Sequence, residues 1–252
     1  MVVFYLNLDR RRDRRERFMS TNATIAEFHR WKAVDGLTLC NEELMRKGVI
    51  TEPLKAYSLG ALGCALSHKL LWDHCASGDT VVTVCEDDAV FNRSFASRAA
   101  TLLAALPRDW DIILWGWNFD SILHVEAIPG MKHTVMRFDA SSLAQRLPEF
   151  QEKTYESLPM RLVTVFGTIC YSLSPQGARS LRQKCFPLKN ELVWIPSMDR
   201  HVLSFGIDST MNKHYRDLKS YASFPPLVWT ENDKSTSDVS HPGVPFSAND
   251  QG

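Results

Sequence analysis

The chain has 252 residues, of which 44% are hydrophobic and 23% are charged. This composition is ordinary for a folded globular protein and excludes a largely disordered chain. Lysine and arginine number 29, as do aspartate and glutamate, so net charge gives no reason to expect attraction to nucleic acid or to a membrane. No apolar run approaches the ~18 residues that span a bilayer. We therefore expect no transmembrane segment and a cytoplasmic protein, either free or bound at a membrane surface.

The cysteines are scattered along the chain, at positions 40, 64, 75, 85, 170 and 185. None belongs to a CxxC pair, and several lie inside apolar stretches. This spacing argues against a zinc site and favours buried free thiols in a reducing compartment.

Apolar periodicity predicts alternating strands and helices along the chain. The predicted strands cover residues 2–8, 28–34, 80–85, 110–115 and 163–173. The predicted helices cover residues 10–17, 41–47, 59–76, 97–106, 174–184 and 197–205. Residues 118–160 have mixed polarity, and we interpret them as a variable insertion with a strand-like piece at 134–138 and a helix near 141–153. Residues 230–252 form a polar tail or lid.

Strands that alternate with helices predict an α/β fold with a mostly parallel sheet. We expect a single domain over residues 1–229, with the central sheet flanked by helices. In such sheets, ligands bind outside the carboxyl ends of the strands. Polar residues at predicted strand ends are therefore the candidates for a functional site.

The most informative of these strand ends is the acidic triplet Glu86, Asp87 and Asp88, which follows a buried strand directly. Because side chains alternate along a strand, Glu86 and Asp88 should share one face and Asp87 the other. Carboxylates massed in this way repel one another unless a cation lies among them. Mg²⁺ or Mn²⁺ carrying a diphosphate fits, since hard cations take oxygen ligands. The alternative is that these acids cap a following helix or bind water.

Four ordered blocks in the first 90 residues resemble glycosyltransferase family 25. They are YLNLDRR from Tyr5 with the nearby Asp13-Arg14-Arg15, AVDG from Ala33, GALGCALSH from Gly60 with Trp72 after it, and the acidic triplet. Residues 167–171, 175–178, 196–199 and 235–238 resemble later blocks of the family. The family includes lipooligosaccharide galactosyltransferases and collagen hydroxylysine galactosyltransferases.

The resemblance implies a GT-A-like domain over residues 1–229, with 118–160 as the variable insertion. It implies Mn²⁺ (or Mg²⁺) at the acidic strand end and a UDP-sugar donor, of which UDP-galactose is the first candidate. It also implies sugar transfer that inverts the configuration at the anomeric carbon. The partners would be the nucleotide sugar and an acceptor hydroxyl on a glycan or on a glycosylated or hydroxylated molecule. Nucleic acid is not expected as a partner.

The roles within the triplet and after the first strand follow from this resemblance. Asp88 is the first choice for a metal ligand, with Glu86 beside it either as a ligand, as a contact through water or as a donor contact. Asp87 is expected near the donor. Asn7, Asp9 and Arg11 lie where a base or ribose would rest, although Arg11 is also compatible with a solvated helix face.

The remaining candidates carry equally plain structural alternatives. Asp35 and Gly36 could contact the ribose or form a simple Asp-Gly turn. Gly60 could let a helix start pack closely on the nucleotide or on a strand. Asp199 is the candidate general base, and its alternative is a helix N-cap or first-turn acid.

Two rival functions remain open at this stage. A nucleotidyltransferase or nucleotide-sugar phosphohydrolase could use the same acidic metal site. A carbohydrate-binding or scaffold protein could retain a degenerate site, although the intact triplet argues against it.

Overall fold

A computed structural model describes residues 2–128, 130, 134–196, 199–230 and 237–239. The strands in these ranges are β1 (Val2–Asn7), β2 (Glu27–Lys32), β3 (Val82–Glu86), β4 (Ala89–Phe91), β5 (Ile112–Gly116), β6 (Leu123–Glu126), β7 (Thr134–Met136), β8 (Leu158–Thr164), β9 (Cys170–Leu173), β10 (Leu192–Ile195), β11 (Arg200–Leu203), β12 (Ser220–Phe224) and β13 (Val228–Thr230). The helices are α1 (Arg12–Asn22), α2 (Asn41–Arg46), α3 (Leu59–Ser77), α4 (Phe95–Ala105), α5 (Ala140–Ala144), α6 (Leu147–Glu152), α7 (Pro175–Cys185) and α8 (Ile207–Asn212).

Nine strands form the central sheet, in the order β2-β1-β3-β9-β5-β12-β8-β6-β7. Pairing is parallel between β1 and both of its neighbours, and between β5 and β12. It is antiparallel around β9, which lies between β3 and β5, and at the β8, β6 and β7 edge. The predicted α/β fold with a large helix-flanked sheet is confirmed and is compatible with a GT-A-like fold. The sheet itself is mixed.

Each face of the sheet carries its own hydrophobic core, because strand side chains alternate. In β5, Ile112 and Leu114 pack with α3, α7 and α8, whereas Ile113 and Trp115 pack with α1 and α4. These four side chains are at most 1% exposed. Burying so much apolar surface is the main source of the fold's stability.

Hydroxyl caps fix the starts of the two long helices on one face. Ser58 accepts a hydrogen bond from the amide of Ala61 at the start of α3, and Ser174 accepts one from Gly177 at the start of α7. A serine that accepts from the third following amide is a favoured N-cap. The predicted serine cap at 174 is therefore confirmed.

Two predicted elements are wrong. The strand predicted over 163–173 is two strands, β8 and β9, separated by a loop in which Gly167 has φ +101°. The helix predicted over 197–205 is instead a hairpin of β10 and β11, and α8 begins only at Ile207. Asp199 has φ 49° in the hairpin turn. Because this is the left-handed region and α8 begins only at Ile207, Asp199 is not the helix N-cap or first-turn acid that was the alternative to a base role.

Residues 118–160 are built into the sheet. They supply β6, β7 and the start of β8, and the predicted helix over 141–153 is two short helices, α5 and α6. Of the predicted tail, Thr230 ends β13 and residues 237–239 are described, whereas 231–236 and 240–252 lie outside the described residues. Among the described helices, none combines the length and hydropathy of a bilayer-spanning segment.

Candidate active site

A cavity of about 510 Å³ opens at the carboxyl ends of β1 and β3. This volume falls within the range of ligand pockets, ~300–1,000 Å³. The position is the one expected for a ligand site in an α/β sheet. Its walls come mainly from residues 33–37, 60–67, 86–88, 118–121, 166–169, 205–208 and 237–239.

The acidic triplet forms one wall of this cavity. Glu86 is the last residue of β3, and Asp87 and Asp88 form the turn that leads into β4. Strand alternation therefore stops at Glu86, and all three residues line the cavity. The sequence-based expectation that Asp87 would face away from the other two does not hold.

Glu86 is held in place by the loop of residues 165–169, which joins β8 to β9 (the 167 loop). The Thr168 hydroxyl donates a 2.6 Å hydrogen bond to Glu86 Oε1. Burial, reinforced by the negative charge of Asp88, raises the pKa of Glu86 to about 8. Desolvation and like charge both disfavour the ionised carboxylate. In the absence of a cation, Glu86 is therefore mostly protonated at neutral pH.

Asp87 is fixed by two partners from the beginning of the chain. The amide of Asn7 donates to Asp87 Oδ2 at 2.7 Å, and Arg14 Nη2 lies 2.5 Å from Oδ1. Burial still raises the pKa of Asp87, against the lowering effects of Arg14 and Asn7. Arg14 Nη2 also lies 3.5 Å from Asp88 Oδ2.

Asp88 Oδ1 is buried and has no hydrogen-bond partner within the described parts of the chain. Buried polar atoms are rarely left in this state, and one explanation is an ion that completes the site. Carboxylates of Asp88 and Glu86 are the ligand type that Mn²⁺ and Mg²⁺ prefer. These two residues therefore fit a hard divalent cation.

The other predicted cavity residues line a further part of the cavity. Asp35 and Gly36 line the cavity, and Asp35 Oδ2 accepts a 2.9 Å bond from Arg10 Nε. Arg10 also donates to Asp238 Oδ1 at 2.7 Å. Gly60 lies against the same segment, where a Cβ would come within 1.8 Å of the Asp238 carbonyl oxygen. Only glycine fits this close approach.

Three predicted donor contacts do not line the cavity. The side chain of Asn7 is used to hold Asp87. Asp9 pairs at the surface with Arg30 at 2.6 Å and with Lys32 at 2.7 Å. These two partners lower its pKa to about 2.

Arg11, the third, pairs with Asp13 and Asp238 at 2.9 and 2.6 Å. The roles of Asn7, Asp9 and Arg11 in donor binding stay predictions.

Asp199, the predicted base, lies in the turn between β10 and β11 and is not among the cavity-lining residues. Its role also stays a prediction. Sequence reasoning missed Asp208, which does line the cavity. Asp208 lies in the first turn of α8 and accepts hydrogen bonds from the backbone amides of Gly167, at 3.1 Å, and Ser209, at 2.7 Å.

Arg14 and Thr168 were also missed. Arg14 belongs to an arginine run that reads as a charged surface, although its side chain is only 16% exposed. Thr168 was placed inside a continuous strand. The adjacent Gly167 was the available signal, because an isolated glycine in a strand pattern often marks a break or a close approach.

The α/β domain therefore carries an acidic cavity of ligand size at the carboxyl ends of its strands, the usual place for a ligand site in such a sheet. The sequence profile described as glycosyltransferase family 25 (LPS biosynthesis protein) matches residues 1–193. The chain therefore belongs to glycosyltransferase family 25.

Several relatives match over most of this chain. Procollagen galactosyltransferase 1-B of Xenopus laevis is 28% identical over 246 residues, covering 90% of this chain and 35% of its own length. Procollagen galactosyltransferase 2 of Homo sapiens is 30% identical, with 90% and 34% covered. Inactive glycosyltransferase 25 family member 3 of Mus musculus is 32% identical, with 90% and 36% covered. The chain spans about a third of the length of these relatives.

Proposed function

We propose that this chain is a metal-dependent inverting glycosyltransferase. It transfers a sugar from a UDP-sugar to a hydroxyl of a glycan or of a glycosylated or hydroxylated acceptor. Galactose is the first candidate for this sugar. The observation that carries the proposal is the unpartnered Asp88 Oδ1 within an acidic triplet that faces a cavity of about 510 Å³. Two of the relatives are named galactosyltransferases, which favours galactose.

The metal would be held by Asp88 and Glu86. Bound there, Mn²⁺ or Mg²⁺ supplies the positive charge that a diphosphate leaving group needs as the glycosidic bond breaks. Asn7 and Arg14 hold Asp87, which keeps the acidic turn in place.

Arg10, Asp35 and Gly36 form another part of the cavity wall. We propose that this wall contacts the nucleotide. Arginine presents several donors to phosphate oxygens in a fixed geometry.

Inverting transfer also needs a base that removes the proton of the acceptor hydroxyl. The base has to lie across the sugar from the diphosphate, and so on a different segment from the triplet. Asp199 is the candidate from the sequence resemblance. Asp208 is a second candidate, favoured by its position on the cavity wall. Its plainer role is to hold the 167 loop and the first turn of α8 through two backbone amides.

The proposal is tested by incubating the protein with UDP-galactose and Mn²⁺ and identifying the released nucleotide. UDP indicates transfer or its hydrolytic side reaction, whereas UMP indicates a nucleotidyltransferase or phosphohydrolase. Binding of UDP-galactose without release of UDP or UMP indicates a binding protein with a degenerate site. This alternative has to be tested because some relatives are named inactive. A thermal shift with each UDP-sugar and Mn²⁺ ranks the donors, since a ligand that binds the folded state stabilises it.

A further inference from the structure

A second set of potential metal ligands lies beside the acidic triplet. The thiol of Cys64, a ring nitrogen of His68 and a carboxylate oxygen of Glu86 all lie within 4.8 Å of one another. Cys64 and His68 are four residues apart on α3 and so project from the same face of that helix. Glu86 reaches them from the end of β3.

His68 also carries a buried ring nitrogen without a partner in the described part of the chain. Its side chain is 0% exposed, yet its Nε2 has no hydrogen-bond partner among the described residues. The other ring nitrogen, Nδ1, lies 2.7 Å from the Tyr171 hydroxyl, which also accepts a hydrogen bond from Trp72 Nε1 at 2.8 Å. In the tautomer whose Nδ1–H donates to Tyr171, Nε2 presents a free lone pair. A partner on the second nitrogen is the usual support for a histidine that binds a metal.

We propose that Cys64, His68 and Glu86 form a binding site for a borderline-soft divalent cation of the zinc type. Sulfur, nitrogen and oxygen donors together suit zinc, whereas manganese and magnesium prefer oxygen alone. Tetrahedral bonds of ~2.0–2.3 Å place ligand atoms about 3.5 Å apart. The ligand atoms, which lie within 4.8 Å of one another, would therefore need to approach by at most ~1.3 Å.

The cation would sit in the wall of the cavity described above. Cys64 and Glu86 line that cavity, whereas His68 lies behind them. Three protein ligands leave a fourth tetrahedral position open. Binding releases two protons to solvent: that of the Cys64 thiol, because the thiolate is the metal ligand, and that of Glu86, which the metal-free protein mostly keeps at neutral pH.

Glu86 is common to this site and to the hard-cation site formed with Asp88. A zinc-type cation on Glu86 would therefore compete with Mn²⁺ for the same carboxylate. This consequence rests on the proposed function, because it concerns Mn²⁺-dependent transfer. The binding site itself does not rest on it. We expect Zn²⁺ to inhibit the Mn²⁺-dependent reaction.

The test uses Co²⁺ as a spectroscopic stand-in for Zn²⁺ and needs no donor or acceptor. The metal-free full chain is titrated with Co²⁺, and the near-ultraviolet band of a cobalt–thiolate bond is followed. We expect one equivalent of Co²⁺ to produce the band and Zn²⁺ to remove it. The band should be absent in Cys64→Ser and retained in Cys40→Ser, a control at an exposed cysteine. Circular dichroism checks that both variants are folded.

Two further measurements keep the outcome clear. Glu86→Gln should keep the thiolate band and weaken Co²⁺ binding by at least ~10-fold, since one charged ligand is lost. In the unmodified chain, Zn²⁺ should slow alkylation of Cys64 and leave alkylation of Cys40 unchanged, which requires no variant to fold.

Absence of a thiolate band, a band that persists in Cys64→Ser, or alkylation of Cys64 that Zn²⁺ does not change would each overturn the proposal. If the band forms as expected but UDP-galactose is not turned over, the proposed function fails and the metal site stands.

Discussion

The side-chain amide of Asn7 donates a 2.7 Å hydrogen bond to the carboxylate of Asp87. This bond joins the end of the first strand to the acidic turn, 80 residues away in sequence. Asn7 is only 2% exposed, and its oxygen in turn accepts a 3.1 Å bond from Arg30 Nε. The acidic turn is therefore held by a buried polar chain rather than by the strand alone.

Replacing Asn7 with alanine should loosen this turn. The carboxylate of Asp87 and the guanidinium of Arg30 each lose a partner, and an unsatisfied buried polar group costs about 1–3 kcal/mol. We expect the free energy of unfolding to fall by about that amount, and Mn²⁺-dependent binding of UDP-galactose to weaken without disappearing. Chemical denaturation and calorimetric titration measure the two effects. Unchanged stability would show that the hydrogen bond contributes nothing.

Asp88→Ala should abolish metal-dependent binding of the nucleotide sugar while the fold remains intact. The variant removes a hard oxygen ligand from a turn and no part of either core. Asp79→Ala, an exposed acid just before the same strand, is the matched control and should bind like the unmodified protein. The readout is titration of UDP-galactose with Mn²⁺ present and absent. Equal affinity in Asp88→Ala and the control would mean that the metal site lies elsewhere.

The contribution of Glu86 to the stability of the metal-free protein should fall as pH rises from about 4.5 to about 8. The unfolded chain ionises Glu86 near the ordinary value of 4.5, whereas the folded protein keeps it protonated up to a pKa of about 8. Between these values Glu86 holds its proton in the folded state and has lost it in the unfolded state, so its contribution to the free energy of unfolding falls with pH. The Glu86 contribution has a limiting slope of about 1.4 kcal/mol per pH unit.

Glu86→Gln removes this contribution and retains the side chain's shape. Relative to the unmodified protein, the variant should therefore gain stability from pH 5 to pH 8 in urea titrations without metal. Saturating Mn²⁺ should reduce the loss of stability that Glu86 causes between pH 5 and pH 8 in the unmodified protein, because the cation favours the ionised carboxylate of Glu86. Parallel stability curves for the two proteins over this range would contradict the raised pKa.

Asp199→Asn and Asp208→Asn decide which acid is the base. Loss of a general base lowers turnover by roughly 10²–10⁴-fold, with donor affinity close to that of the unmodified protein. The cavity geometry favours this result for Asp208, and the family resemblance favours it for Asp199. Thermal unfolding of both variants shows whether a lower turnover comes from the loss of the base or from a disturbed 167 loop, since a disturbed loop would also lower the melting temperature. If neither variant loses turnover, Asp238 is the next acid to test.

The segment 230–252 should become more protected when donor and metal bind. Of its described residues, 237–239 already lie against the cavity, with Asp238 paired to Arg10 and Arg11. A segment that covers the site would keep water from the activated sugar. Hydrogen exchange with UDP and Mn²⁺ together, and with each alone, measures this. Exchange rates that do not change would count against a lid.

Sequence patterns predict best those helices and strands whose conformation follows from the spacing of their own apolar residues. Residues 59–76 were predicted as a helix, and α3 covers Leu59–Ser77 because a serine cap and a continuous apolar face suffice to define it. The acidic triplet was found because it follows a buried strand directly. Thr168 and Asp208 were not found in this way, since the loop between β8 and β9 brings the first to the cavity and the first turn of α8 brings the second. The hairpin was missed because the pairing of β10 with β11 is not visible in the local pattern of residues 197–205.

The way residues 118–160 join the sheet limits how the chain can be shortened. Leu123 and Val125 of β6 and Leu162 of β8 are at most 1% exposed and belong to the larger core. A deletion designed to remove a loop would uncover the edge of β12 and open that core. A minimal version that still folds must therefore keep this segment, and exchange of sequence between relatives within it should be confined to the turns between these strands.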